Sequence, residues 1–267
     1  MKILRILFLF FSITAQAAIE PKEACQSAKE FITTYEFLKT KSQLFGQATE
    51  MAKAASQAAQ GCTGSAKRFI KVVSTLEKSD LTAGDIVRTA TQVAQKSDAV
   101  AEAFVQIFQR AYATDGFDLD LQSAIQVAKS LSIDFKGEVD MAMKDFTKIS
   151  NFCLGKNGLD YTKPQCGKMA QRMALYSDQH GLEVGDAFLT AIKYMTSKSG
   201  PELTMGEAVK LSEEVVKLHP SGTDDFQIAY QYAVSKKGLN LKRDEAIKFA
   251  KKMALQDVDE TKLETQK

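Results

Sequence analysis

The sequence predicts an all-α fold: a right-handed αα-hairpin solenoid of about six two-helix repeats, each 35–42 residues long. Three observations predict it. A leucine-plus-cap signature recurs along the chain, phenylalanine recurs at near-constant spacing, and a trio of small and apolar residues recurs on a helical period. The alternative reading of the same pattern is an irregular multi-helix bundle in which the periodicity is accidental.

The signature is clearest at Leu203–Val209, which reads LTMGEAV; Leu81–Val87 reads LTAGDIV and Leu182–Phe188 reads LEVGDAF. Weaker copies begin at Leu119, Tyr161 and Leu241. Each reads as the start of a helix. Thr204 serves as an N-cap, Glu207 three residues on closes the capping box, and Leu203 staples the entering chain onto the helix.

Phenylalanine stands at 31, 69, 104, 146, 188 and 226, with spacings of 38, 35, 42, 42 and 38. Each is expected to open the first helix of a hairpin, helix A. Seven residues later come Leu38, Leu76, Ala111, Cys153, Met195 and Ala233, a core stripe. Twelve residues later come Gly116, Gly158, Gly200 and Gly238, the expected helix stops. The signature then begins helix B. There the trios Ile86/Ala90/Val93, Ala124/Ala128/Leu131, Cys166/Ala170/Met173, Ala208/Ser212/Val215 and Ala246/Ala250/Met253 share one helical face. A small middle residue lets a neighbouring helix approach closely. Met51/Ala55/Ala58 is a degenerate first version. Val72–Thr75 is the best strand candidate, but it sits inside a helical pattern.

Residues 1–17 read as a cleaved secretory signal. Lys2 and Arg5 form its charged start, Ile6–Ile13 its apolar core, and Ala15-Gln16-Ala17 its cleavage site. The apolar run is too short to span a bilayer. The expectation is a soluble, exported chain, periplasmic or secreted, with one repeat domain over 18–256 and a polar tail over 257–267. Removing Lys2 and Arg5 leaves 33 basic and 33 acidic residues. That balance argues against a broad nucleic-acid or anionic-membrane footprint.

Four cysteines on an export route imply two disulfides. The repeat register pairs Cys153 with Cys166 across the turn containing Gly158, and Cys25 with Cys62 around the terminal hairpin. Their spacing is poor for zinc, and no metal or cofactor is expected.

No serine sits in a nucleophile elbow, and no glycine-rich loop has phosphate-cradling spacing. His180 and His219 lie at predicted helix C-termini, where the helix dipole favours them; their different repeat positions give no reason to expect convergence. Glu207, Glu213 and Glu214 read as solvated helix faces. No catalytic residue is assigned. Six residues after each phenylalanine come Phe37, Thr75, Arg110, Phe152, Tyr194 and Tyr232. The four aromatics, Phe37, Phe152, Tyr194 and Tyr232, either pack between repeats or line a groove that holds a partner. The repeat length overlaps tetratricopeptide, Sel1-like and HEAT arrays, but the chain has no tryptophan and carries no signature of those families. The expected function is a non-catalytic protein- or peptide-binding or scaffolding module in the cell envelope. The competing class is a glycan-directed envelope hydrolase or lyase.

Overall fold

The computed structural model describes residues 25–155 and 158–264, with side chains except those of Leu218 and 255–264. The expected signal, residues 1–17, and the last tail residues, 265–267, lie outside the described residues.

The described residues form α1 (Ser27–Thr40), the single turn α2 (Ser42–Phe45), α3 (Ala48–Ala59), α4 (Ser65–Leu76), α5 (Ala83–Ala94), α6 (Asp98–Tyr112) and α7 (Leu121–Ser130). They continue as α8 (Val139–Leu154), α9 (Lys163–His180), α10 (Gly185–Thr196), α11 (Met205–Leu218), α12 (Gly222–Val234) and α13 (Arg243–Glu264). No strand occurs among the described residues, and Val72–Thr75 lies inside α4.

Six hairpins result: α1 with α3, then α4–α5, α6–α7, α8–α9, α10–α11 and α12–α13. Each first helix packs on the first helix of the next hairpin, so the hairpins stack in chain order. That is a helical-hairpin repeat array. The turn of the first hairpin holds α2, which the sequence did not suggest; it buries Phe45.

The core follows the register. Phe69, Phe104, Phe146, Phe188 and Phe226 are all buried, as are Leu38, Leu76, Ala111, Cys153, Met195 and Ala233. Each such phenylalanine contributes about 1.5–3 kcal/mol by leaving water. All middle residues of the helix B trios are fully buried. Two positions depart from the expected pattern, both at the ends of the array. Phe31 is half-buried and Met253 is exposed. Neither has a neighbouring repeat on its outer side.

The phenylalanines do not open their helices. Each stands three to seven residues inside, as Phe188 does in α10 and Phe146 in α8. The glycine stops are also different in kind. Gly116, Gly200 and Gly238 are not left-handed; the left-handed residues are Asp118, Glu202 and Asn240, two places later. The glycines serve close approach instead. A Cβ on Gly116 would lie 2.0 Å from the Arg110 carbonyl oxygen, and one on Gly238 would lie 1.9 Å from that of Tyr232. The chain therefore folds back onto the last turn of helix A. Leu119 and Leu241 N–H groups then donate to Ala111 and Ala233 carbonyls, at 3.0 and 2.8 Å.

Four B helices, α5, α7, α9 and α11, begin on their own caps. Thr82 and Asp120 accept N–H bonds from Asp85 and Ser123, while Thr162–Gln165 and Thr204–Glu207 form full capping boxes. Cys153 is bonded to Cys166 across α8 and α9, and Cys25 is bonded to Cys62 around the first hairpin, with Cα separations of 5.6 and 4.8 Å.

Candidate functional site

Two helix A starts, those of α4 and α10, are capped from the preceding repeat by the residue just before a core phenylalanine. Glu30 of α1 accepts from Gly64 and Ala66 N–H at 3.1 and 2.7 Å, at the start of α4. Asp145 of α8 accepts from Val184 and Gly185 N–H at 2.9 and 3.0 Å, at the start of α10, and from the Ser177 hydroxyl. Thus the copy at Leu182 starts a helix without a cap of its own. Arg68 of α4 donates to the carbonyls of Ala94, Thr63 and Gly61 and pairs with Asp98 at 2.9 Å. Burial pushes the Asp145 carboxyl above the usual aspartate range. A raised acid can mark catalysis, but both Asp145 oxygens are engaged by donors and the residue is fully buried. These groups tie repeats together.

The two histidines do converge, with ring centroids 6.0 Å apart. The His180 Nε2 faces the Lys217 carbonyl at 3.0 Å and so carries the proton there; the His219 Nδ1 receives the Ser221 N–H at 3.1 Å. They finish the α9 and α11 ends. Among the described residues no cluster of three metal-binding side chains occurs. Glu213 and Glu214 pair with Arg172 and Lys251 across repeats, and Glu207 belongs to its capping box.

The four aromatics are not gathered into one exposed stripe. Tyr194 is buried and meets Tyr230 of the next repeat edge-on at 6.4 Å. Phe37 and Phe152 are half-buried against the core. Of the four, only Tyr232 is exposed, at 55%, on the outer face of the last described repeat.

An open groove of about 620 Å³ lies elsewhere, between α3 and α5. Its apolar floor comes from Leu38, Phe45, Met51, Ala54, Ala83 and Val87. Small residues at 54 and 83 keep the two helices from filling the space. Its rims are two matching rows. Lys53, Gln57 and Gln60 run along α3, and Arg88, Gln92 and Gln95 run along α5, each row at i, i+4 and i+7. The rows are 35 residues apart in sequence and all six side chains are exposed. Gln95 Nε2 closes one end by donating to the Gln57 carbonyl at 3.2 Å. Arg88 is held at the other by Asp85 at 3.0 Å. In the wall, the buried Thr91 hydroxyl has no hydrogen-bond partner among the described residues. A buried hydroxyl without a partner costs about 1–3 kcal/mol, and this one is itself closed to solvent.

Sequence reasoning missed this site, although its signal was present. The pattern K/R-x₃-Q-x₂-Q occurs in the first two B helices, at Lys53–Gln60 and Arg88–Gln95, and at the matching positions of no other B helix. No family model matches the chain, and neither does any curated protein or solved structure.

Proposed function

We propose that the protein is a non-catalytic binding module whose α3–α5 groove holds an extended segment of a protein or peptide partner. The carrying observation is the apolar trough between α3 and α5 with its two matching rows of side-chain amides. A glutamine amide offers an acceptor and two donors, the same groups as a peptide unit. Two rows of them above an apolar floor suit a backbone that lowers alternate side chains into the trough. Two disulfides support an exported location, in the envelope or outside the cell, since such bonds persist in oxidising compartments. No described helix is long and apolar enough to cross a membrane.

The test is a plug. A Cβ on Gly84, in the first turn of α5 and on the groove lining, meets only the Thr82 hydroxyl, at 3.9 Å, an ordinary van der Waals contact. Gly84→Phe should fill the trough and leave the fold intact. Peptides selected from a displayed random library against the disulfide-intact chain should lose binding to this variant. Peptides that bind it as well as the unaltered chain place the ligand elsewhere and overturn the reading.

A further inference from the structure

We propose that the two ends of the array are complementary and that copies of this chain dock head to tail, the last repeat of one on the first repeat of the next. Solenoid arrays normally end in repeats with polar outer faces. This one does not. The three most exposed large hydrophobic side chains among the described residues are Ile228 at 66%, Ile32 at 59% and Tyr232 at 55%. Ile32 lies on the first repeat and the other two on the last, which carry the two outer stacking faces of the described array.

Register shows what covers each face inside the array. The position six residues after the core phenylalanine of one repeat meets the position four residues after that of the next, as Tyr194 meets Tyr230. At the terminal face the first of these positions is Tyr232. At the opposite face the second is Tyr35, half-buried and stacked on Phe31 at 5.9 Å, whereas Val73, Phe108, Ser150, Ile192 and Tyr230 at the same position are buried. Ile32 occupies the position where Val105 is covered by the preceding repeat. The terminal face also departs from the internal pattern in its composition. Two residues past the phenylalanine stand Thr33, Lys71, Gln106, Lys148 and Thr190, all polar, and then Ile228.

Ile228, Tyr232, Phe249 and Met253 enclose a shallow apolar cleft of about 380 Å³ between α12 and α13. The face that fits there is the one that continues the stack, with Ile32 and Tyr35 taking the places that Leu189 and Ile192 hold against the repeat before them. Such a contact is heterologous, so it propagates into chains or closes into a ring.

Sedimentation velocity of the disulfide-intact chain tests the proposal with two variants, Ile32→Asp and Ile228→Asp. The positions are exposed, so both variants should melt as the unaltered chain does. The unaltered chain should show an average mass that climbs with concentration. Each variant alone should stay monomeric, because each lacks one of the two faces. Their equimolar mixture should form a species of two chains and no larger one, since each supplies the face the other has lost. A monomeric unaltered chain, self-association of Ile32→Asp through a two-fold contact of last repeats, or a mixture that stays monomeric would each overturn the proposal.

Discussion

The carboxylate of Asp145, fully buried in α8, accepts the backbone N–H of Gly185 at 3.0 Å, so one repeat supplies the N-terminal cap of the next. Burial pushes this carboxyl up despite three donors that favour its charged form. A group raised on folding stabilises fully below its unfolded pKa, about 3.9 for aspartate. That contribution is lost as pH rises through the higher folded value. Urea unfolding of the unaltered chain and of Asp145→Asn should therefore show an advantage for aspartate that shrinks as pH rises above about 3.9. An advantage that grows over the same range would mean that the donors outweigh burial.

The glycines divide into two kinds with opposite responses. A Cβ on Gly206 meets open space in the first turn of α11, so Gly206→Ala should stabilise by about 0.4–1 kcal/mol through the unfolded chain. A Cβ on Gly238 would sit 1.9 Å from the Tyr232 carbonyl oxygen, so Gly238→Ala should cost about 1–3 kcal/mol as the loop shifts. Thermal melts of both read the sign directly.

Two tyrosines at the same repeat position should behave differently. Tyr194 is covered by the sixth repeat, whereas Tyr232 lies exposed on the outer face of the last described repeat. Tyr194→Ala should cost about 3–5 kcal/mol, as buried aromatics do. Tyr232→Ala, measured on dilute protein, should change stability by less than about 0.5 kcal/mol. Equal losses would show that the sixth repeat is covered in solution.

These contrasts mark what the sequence could reveal. Core positions were legible because helical period and repeat spacing are local properties: Phe146, Cys153 and Ala170 announce themselves by place alone. The disulfide pairs followed from the same register. The ties at Glu30, Arg68 and Asp145 were not legible, because they reach from 26 to 40 residues ahead and the position takes acid or base according to what it meets. The loop glycines were visible, but a stop by left-handed backbone and a stop by close approach leave the same letter. The aromatic stripe failed for a further reason. Its angle from the core is set by helix geometry, while its exposure depends on whether another repeat follows. The groove was written twice, at Gln57/Gln60 and Gln92/Gln95, but exposed glutamines on a helix read as solvated surface until a second helix lies beside them.

The groove account rests on the amide rims, and one measurement tests it most directly. Gln92→Ala removes an exposed rim amide and leaves the apolar floor in place. Calorimetric titration of a groove-selected peptide should show affinity weakened by about 0.5–1.5 kcal/mol, the worth of one hydrogen bond. The free variant should melt as the unaltered chain does, because exposed substitutions change stability by less than about 0.5 kcal/mol. Unchanged affinity with an unchanged melting temperature would show that the rim makes no contact with the peptide, and would contradict the assignment of this groove as the binding site.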